Sequence, residues 1–412
     1  MLGTGAMANL KKIKVLILGG GSGGISVAAR LSQKMNAGDI ALVEPSQTHY
    51  YQPMWTLVAG GAADIQSTAK DMSTLIPTGV EWIQNSVSKI TASKNHVELQ
   101  NGDILEYQFL LVATGLTLNF AALEGWDDSL IGKNGLYSDY TFEGAPKTYN
   151  ALNTFKGGTA IFVMPLPPIK CAGAPQKIMY LADEIFRRNG VREKTKIIFT
   201  TAGGGMFGIP DFKVALEKVV SRKSIEPKYF HKIVGINAAA KKAIFEINDP
   251  KQSPGTRVEL AYDFLHLVPP MIPHKFILES DIVNKEGDQK NWMKVDKYTL
   301  QSPDFPNVFG VGDVTGVPNS KTGAAIRKMA PVVVENMISQ MRGQPLTQKY
   351  DGYSSCPLVT GFGKVILAEF GYDSKLMPTF PFDQTQERRS MWILKKFLLP
   401  IMYWRGMLKG RA

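Results

Sequence analysis

Residues 13–24, IKVLILGGGSGG, decide the fold of this chain. The apolar run before the glycines is typical of a buried parallel strand. Apolar residues at helical spacing follow over residues 25–35, and a second short strand covers residues 40–44. Strand, glycine turn, helix and strand together form a βαβ unit. The glycines therefore lie where such a unit binds the phosphates of a dinucleotide.

Each glycine of the GxGxxG pattern has a separate physical task. Gly19 allows the tight turn, Gly21 lets the backbone approach a pyrophosphate, and Gly24 lets the helix pack on the strand. Glu44 ends the next strand, where a carboxylate can accept a hydrogen bond from a ribose hydroxyl. The predicted dinucleotide-binding residues of this unit are Gly19, Gly21, Ser22, Gly23, Gly24 and Glu44.

Composition limits the class of protein. The 412 residues are 44% hydrophobic and 20% charged, as in a globular protein of two or three domains. The net charge is +11, but zinc spacings, a helix-turn-helix and RNA-binding motifs are missing, so we predict no nucleic-acid partner. Two cysteines and five scattered histidines predict neither a disulfide scaffold nor a metal site.

The order of predicted elements indicates an α/β protein with one nucleotide-binding domain inserted in another. Antiparallel strands with a turn at 101–102 follow the first unit, and a second α/β segment begins near residue 159. We therefore expect two Rossmann-like dinucleotide-binding domains and a C-terminal membrane-associating segment. The predicted limits are 1–125 with 290–349 for the split first domain, 126–289 for the second domain, and 350–412 for a quinone- and membrane-interacting region.

Two further motifs distinguish between FAD and NAD. LLVATG (110–115) reads as a strand that ends in Ala113, Thr114 and Gly115, and NVFGVGD (307–313) as a strand that ends in Asp313. Both resemble the large disulfide-reductase-like flavoprotein family. In that family the aspartate binds the ribityl chain of FAD, so the resemblance implies FAD as the cofactor.

The second domain has only a loose glycine motif, IIFTTAGGGMFGIPD (197–211). Pro210 argues against a long helix directly after it, and no acidic residue follows at the right distance on a clear strand. We expect no working NADH site there.

The two cysteines, Cys171 and Cys356, are each predicted in a loop bounded by proline and glycine. Lys170 is adjacent to Cys171, and Lys177 lies within two helical turns of it. A nearby cation favours the thiolate, so these lysines predict a reactive Cys171. Two unrelated free thiols are the alternative interpretation.

The segments around both cysteines resemble the mitochondrial-type (type II) sulfide:quinone oxidoreductases, and the similarity extends over essentially the whole chain. The segments that carry it are LGGGSGG, VEPSQTHYYQPMWTLV, IKCAGAPQKIMYL, NVFGVGD, SKTGAA, KYDGYSSCPLVTG, ILAEF and FPFDQ. In the helix after SKTGAA, Arg327, Lys328 and Pro331 depart from the expected small residues, which puts the local helix geometry and quinone-site detail in question.

The resemblance implies the chemistry of the site. Cys171 and Cys356 would be a redox pair beside the flavin, bridged at rest by a disulfide or an inserted sulfur, with Lys177 among the catalytic residues. Lys321 would approach the pyrimidine end of the flavin. His49, Tyr51 and Gln52 would lie on a loop near the cofactor, although a purely structural role for His49 stays open.

The implied reaction is the oxidation of hydrogen sulfide with reduction of ubiquinone or a similar quinone. A small acceptor such as glutathione or sulfite would take the sulfur. Two alternatives stay open from the sequence, an NADH:quinone oxidoreductase of the same fold and a non-catalytic FAD-binding redox sensor.

The C-terminal segment, ERRSMWILKKFLLPIMYWRGMLKGRA (387–412), has seven cations against one acid, interleaved with aromatic and aliphatic residues. Because no apolar run reaches the ~18 residues of a spanning helix, we predict an interfacial, monotopic helix broken by Pro400. A helix packed on the core is the alternative. The location would be the mitochondrial inner membrane in a eukaryote or the cell membrane in a bacterium. MLGTGAMANLKK (1–12) is too short and too weakly apolar for a signal peptide.

Overall fold

The computed structural model describes residues 9–253 and 255–412. Most of the N-terminal stretch considered for a signal peptide therefore lies outside the described residues. The strands are β1 (Leu10–Leu18), β2 (Ile40–Val43), β3 (Thr48–Tyr50), β4 (Ala69–Asp71), β5 (Val80–Ile83), β6 (Val87–Thr91), β7 (His96–Leu99), β8 (Ile104–Val112), β9 (Thr117–Leu118), β10 (Leu136–Tyr137), β11 (Gly158–Met164), β12 (Thr195–Thr201), β13 (Glu226–Lys228), β14 (His231–Asn237), β15 (Lys242–Ile247), β16 (Arg257–Ala261), β17 (Phe264–His266), β18 (Met271–Ile272), β19 (Val308–Gly310), β20 (Ser354–Gly361) and β21 (Lys364–Phe370). The helices are α1 (Ser22–Leu31), α2 (Trp55–Ala59), α3 (Gly144–Thr154), α4 (Ala174–Arg188), α5 (Pro210–Arg222), α6 (Lys275–Leu278), α7 (Gly323–Met341), α8 (Arg389–Ile393) and α9 (Leu399–Ile401).

The first sheet has the order β5-β2-β1-β8-β7-β6, and β19 pairs with β8. β1 runs parallel to both β2 and β8, and its last four residues are fully buried, as expected of a strand covered on both faces. β19 comes from beyond residue 300 yet joins this sheet in parallel register. The first sheet is therefore built from two separate stretches of the chain.

One strand differs from its prediction. The alternating stretch VEWIQNSVSKI (80–90) predicts an antiparallel strand, but β5 pairs in parallel with β2 and only β6 pairs antiparallel with β7. The segment 84–86 between β5 and β6 leaves the sheet. The alternating pattern of residues 80–90 therefore belongs to two strands with different neighbours.

The second sheet has the order β10-β17-β11-β12-β13 and is parallel at every pair. The antiparallel sheet β14-β15-β16 stands beside it. All eight strands come from residues 136–266, between the two stretches that build the first sheet. The fold is thus that of two Rossmann-like domains, which confirms the predicted fold class.

Three helical features also differ from expectation. α5 does begin at Pro210, because proline is favoured in the first helical turn, where its missing N–H would have no partner. α7 contains Pro331 and still runs for 19 residues, so the charged residues at its start do not disrupt it. The C-terminal segment is helical without a break from 389 to 409, because π-helical turns at Leu394–Leu398 and Met402–Gly406 flank Pro400.

The C-terminal region consists of the β20–β21 hairpin and the helical segment 389–409, here called the C-terminal helix. Its residues Tyr403, Trp404, Met407 and Leu408 belong to the same core cluster as α1 and α7. Among the described residues, every helix is too short or too polar to cross a bilayer. The sequence left two predictions for this segment, an interfacial helix and a helix packed on the core. Packing on the core is observed for the face that carries these four residues.

Candidate active site

A cavity of about 640 Å³ lies between the first sheet, the second domain and the C-terminal helix. Its walls include most of the residues that the sequence singled out. These are Gly19, Gly21, Ser22, Gly23, Glu44, His49, Tyr51, Gln52, Ala113, Thr114, Gly115, Cys171, Lys177, Asp313 and Lys321. Two of the predicted site residues, Gly24 and Cys356, lie behind these lining residues and do not face the cavity.

The glycine loop has the geometry that dinucleotide binding requires. Gly19 has φ +96°, and a side chain there would lie 2.6 Å from the carbonyl oxygen of Ala113. A side chain on Gly24 would lie 1.8 Å from the Gly19 carbonyl oxygen, so this glycine permits the contact between helix and turn. At Gly21 a side chain would meet no atom within 4 Å. It would therefore project into open space on the cavity side of the loop.

Glu44 is held against the same loop. Its carboxylate accepts hydrogen bonds from the backbone N–H of Gly20 at 2.7 Å and of Ser46 at 2.8 Å. Each oxygen keeps a lone pair for another donor, since a carboxylate has about four acceptor positions. This arrangement suits a ribose hydroxyl.

The opposite wall is formed where the loop of Cys171 meets the loop of Lys321. The Cys171 N–H donates to the Lys321 carbonyl oxygen at 2.9 Å, and Cys171 has φ +53° in the left-handed region. The Lys321 ammonium donates to the carbonyl oxygens of Asp313 at 2.7 Å and Thr315 at 3.0 Å. Burial lowers the pKa of Lys321 to about 8 and raises the pKa of Asp313.

Cys356 is not in a loop, which corrects the sequence prediction. It lies in β20, where it pairs with Ala368 of β21, and it is 1% exposed. The β20–β21 hairpin presents this thiol to the Cys171 loop: both cysteines belong to one apolar cluster, and the Cys356 Sγ lies against Gly173, two residues after Cys171. Both cysteines are free thiols in this structure.

The charge partner of Cys171 is Lys177. Its ammonium Nζ lies 3.1 Å from the Cys171 Sγ, one turn into α4. The hydrogen bond from Cys356 lowers the pKa of Cys171 well below its ordinary value. Burial of Cys171 raises this pKa, and the positive charge of Lys177 lowers it. The same hydrogen bond and burial raise the pKa of Cys356. The pair thus divides into a thiolate at Cys171 and a thiol at Cys356.

Lys170, predicted as a second activating cation, points elsewhere. Its Nζ donates to Oε1 of Gln52 at 2.7 Å and lies near the rings of Trp55 and Tyr140. Burial lowers its pKa to about 8. Adjacency in sequence to Cys171 therefore does not make it the partner of the thiolate.

Lys395 has a position that the sequence pattern does not predict, since it is one of the seven cations of the expected membrane segment. This residue is 2% exposed, and its Nζ donates to the Pro53 carbonyl oxygen at 2.5 Å. Burial lowers its pKa to about 7, and the positive charge of Lys177 adds to the effect. A signal was present, because Lys395 follows Leu394 directly and lies four positions before Leu399, on the same side of the helix as this apolar residue.

Two of the histidines are buried, in different environments. His49 is 3% exposed and lines the cavity, with Nδ1 2.9 Å from the Gly20 carbonyl oxygen. His266 is buried against Asp139 at 2.8 Å. The described residues contain no group of three or more histidines, cysteines or carboxylates that could hold a metal ion.

Comparisons with known proteins identify this architecture. Residues 13–147 match the family described as pyridine nucleotide-disulphide oxidoreductase. Fold and site together define an FAD-dependent oxidoreductase of this class. The chain is 40% identical to the mitochondrial sulfide:quinone oxidoreductase of Mus musculus over 99% of its own length and 89% of the relative, and 41% identical to that of Dictyostelium discoideum over 97% and 86%. It therefore belongs to the sulfide:quinone oxidoreductase family.

The fold comparison agrees. The crystal structure of the sulfide:quinone oxidoreductase from Aquifex aeolicus superposes with a TM-score of 0.79 at 22% identity, and the match covers 97% of this chain and 92% of that one. At this identity the likeness concerns the fold. FAD, the cofactor predicted from the motifs, is confirmed by the family. The open space at Gly21, the carboxylate of Glu44 and the half-buried Asp313 all line one cavity and fit such a cofactor.

The contact between Lys177 and Cys171 leads to a pH-dependent prediction. Lys177→Met removes the charge at similar length, so the pKa of Cys171 should rise and less thiolate should be present at neutral pH. We expect alkylation of Cys171 by iodoacetamide in the reduced protein to slow roughly tenfold or more at pH 7 and to recover as the pH is raised. Mass spectrometry of the Cys171 peptide measures the rate.

Lys218→Gln is the matched control, because Lys218 is an exposed lysine on α5, away from the cavity. Its alkylation profile should equal that of the unchanged protein. Identical profiles for Lys177→Met and the unchanged protein would show that Lys177 does not hold the thiolate.

Proposed function

We propose that this protein oxidises hydrogen sulfide at the Cys171–Cys356 pair and passes the electrons through FAD to a membrane quinone. The observation that carries the proposal is the contact of Cys171 with both Cys356 and Lys177 on the wall of the cavity that holds the glycine loop. Bound FAD supplies two-electron transfer between the sulfur pair and the quinone. The residues that would hold it are Gly19, Gly21, Ser22, Gly23, Gly24, Glu44, Gln52, Ala113, Thr114, Gly115, Asp313 and Lys321.

The cysteines have different positions, which suggests different roles. In the oxidised pair, hydrosulfide attacks the sulfur of Cys356; a new S–S bond forms there, the bridge breaks, and Cys171 leaves as a thiolate. Cys171 suits the leaving role because Lys177 and the Cys356 hydrogen bond stabilise its negative charge. Cys171 also faces the cavity, whereas Cys356 lies behind it.

The sulfur then leaves for a small nucleophilic acceptor, for which glutathione and sulfite are the candidates. The acceptor takes the outer sulfur of the Cys356 persulfide and leaves a second thiolate. The two thiolates re-form the bridge and give up two electrons. The sum is the two-electron oxidation of sulfide, with the sulfur on the acceptor and the electrons on the quinone.

The quinone site is assigned to the apolar end of the same cavity. Residues of the C-terminal helix line this end together with Phe380, namely Leu394, Leu399, Met402 and Met407. A quinone ring with an isoprenoid tail suits such a lining, since ligand pockets are mostly apolar with a few polar groups.

The outer face of the C-terminal helix is the proposed membrane contact. Ile393, Phe397, Leu398 and Ile401 are between 46% and 53% exposed and recur at helical spacing. Arg389, Lys396 and Arg405 are exposed or half-exposed on the same helix. An apolar face with flanking cations is typical of an interfacial helix on anionic lipid. The membrane would be the one that holds the quinone, the mitochondrial inner membrane in a eukaryote or the cell membrane in a bacterium.

Substitution of this face tests the membrane proposal. Phe397→Ser and Ile401→Ser should each weaken binding to anionic phospholipid vesicles by roughly tenfold, because each removes an apolar side chain that lipid would cover. The fold should be retained, since about half of each side chain is exposed. Vesicle co-sedimentation measures the binding.

Val214→Ser is the matched control, because Val214 is 51% exposed on α5, outside the C-terminal helix. It should bind vesicles like the unchanged protein. If all three variants bind equally well, the C-terminal helix is not the membrane contact.

The absorbance spectrum of the yellow protein without oxygen tests the function itself. Sulfide should bleach the flavin, and a short-chain quinone should restore the colour. Bleaching by NADH instead would favour the NADH:quinone oxidoreductase, and failure of both reductants would favour a redox sensor.

A further inference from the structure

The C-terminal helix touches the cofactor loop with the face opposite its exposed apolar residues. Tyr403 is 3% exposed, and its hydroxyl lies 2.7 Å from Ser22 Oγ and 2.5 Å from His49 Nε2. Ser22 is the first residue of α1 and follows Gly21 directly. The tyrosine therefore ties the helix to the loop where the pyrophosphate of FAD would lie.

The hydrogen bonds have one consistent direction. His49 Nδ1 lies 2.9 Å from the Gly20 carbonyl oxygen, so Nδ1 carries the proton and donates it. His49 Nε2 is then an acceptor for the Tyr403 hydroxyl, and the Tyr403 oxygen accepts from Ser22. Burial lowers the pKa of His49 to about 4, which keeps the ring neutral at physiological pH and preserves this order.

Neighbouring contacts hold the same helix down on the cofactor domain. The Tyr51 and Tyr403 rings have centroids 4.3 Å apart, and Lys70 Nζ lies 4.7 Å from the centre of the Trp404 ring. At the end of the chain, Arg30 of α1 donates to the Ala412 carbonyl oxygen at 2.6 Å. The C-terminal helix is thus one wall of the cofactor cavity and not a free appendage.

We propose that the C-terminal helix is a clasp that retains FAD in the cavity, with Tyr403 as a positioning residue. Membrane docking of the outer face of this helix is coupled to retention of FAD at its inner face. This rests on the proposed membrane function. FAD release requires the wall to move, which breaks the Tyr403 hydrogen bonds and exposes Trp404, Met407 and Leu408. Lipid bound to the outer face of the same helix favours the closed position. Coupling of this kind is reciprocal, so bound FAD strengthens lipid binding as much as lipid strengthens FAD binding.

The rate of FAD release tests the clasp without any assay of turnover. The holoprotein is diluted, and the gain in free-flavin fluorescence is followed with and without phosphatidylcholine–phosphatidylglycerol vesicles. Tyr403→Phe should release FAD about tenfold faster in buffer, because it removes the hydroxyl and leaves His49 Nε2 without its donor. Vesicles should slow release from the unchanged protein several-fold, and from Phe397→Ser much less.

Tyr298→Phe is the matched control, because Tyr298 is 42% exposed and lies outside the cavity. It should release FAD at the unchanged rate. The melting temperature of the apoprotein should be similar for both tyrosine variants, which separates loss of the clasp from loss of the fold.

Three results would overturn different parts of the proposal. Equal release from Tyr403→Phe and the unchanged protein in buffer would refute the clasp. Vesicle binding without any change in release would refute the coupling while the membrane proposal stands. If the unchanged protein does not bind vesicles, the membrane proposal and the coupling both fail, and the vesicle-free comparison still decides on the clasp.

Discussion

Cys171→Ser and Cys356→Ser should each give a yellow protein whose flavin is no longer reduced by sulfide. A serine hydroxyl can neither form nor reopen a bridge with the remaining sulfur, so the path from sulfide to FAD is lost. The expected decrease in the rate of flavin reduction is on the order of 10³-fold or more, the scale of losing a nucleophile in covalent catalysis. Stopped-flow absorbance without oxygen measures it.

FAD content and reduction by dithionite serve as controls for this experiment. Both should be unchanged, because the glycine loop and Glu44 lie on the wall opposite the cysteines. The two variants should also differ from each other: Cys356→Ser keeps the thiolate that faces the cavity, so it should keep rapid alkylation of Cys171. Bleaching of both variants by sulfide at the unchanged rate would show that the pair is not the catalytic centre, and the redox-sensor and NADH interpretations would then lead.

Gly21→Val should yield a folded but colourless protein. The added side chain meets no protein atom within 4 Å, so the fold tolerates it, but it occupies the space that the pyrophosphate needs. We expect FAD affinity to fall by at least about a hundredfold, because the phosphates lose the close approach of the backbone. Flavin content after expression with riboflavin and titration of the apoprotein with FAD measure the loss.

Gly208→Val is the matched control in the glycine-rich loop of the second domain. A side chain on Gly208 also meets nothing within 4 Å. Because that loop is not expected to bind a nucleotide, this variant should stay yellow and fully loaded. Gly24→Ala makes a useful contrast, since its side chain would lie 1.8 Å from the Gly19 carbonyl oxygen and should destabilise the fold itself. A yellow Gly21→Val protein with normal FAD content would contradict the assigned binding site.

The cofactor domain could be predicted from the sequence because its signals are local. The tasks of Gly19, Gly21 and Gly24 depend on residues within one turn and on the strand beside it, so the spacing of the glycines carries the information. The helix expected after SKTGAA is likewise observed, as α7 at Gly323–Met341. Motif order along the chain was enough to indicate FAD, the family and the fold.

The environment of the cysteines needed the tertiary structure. Lys170 is adjacent to Cys171 in sequence but points to Gln52, whereas Lys177, one turn into α4, reaches the sulfur at 3.1 Å. Cys356 reaches Cys171 because the β20–β21 hairpin packs against α4, a contact between residues far apart in the chain. Packing therefore decides which cysteine is the thiolate and which is the thiol, because burial and hydrogen bonding set the pKa of each sulfur.

The C-terminal helix shows both kinds of information in one element. The amphipathic and cationic character of the segment could be predicted from the sequence, because helical periodicity and charge are properties of composition and spacing. Which residues face inward depends on the packing of the whole fold: Tyr403 and Lys395 point inward to the cofactor loop and the cysteines, and Phe397 and Ile401 point outward. Sequence spacing describes the faces of a helix, but the neighbour that covers each face is chosen by the rest of the fold.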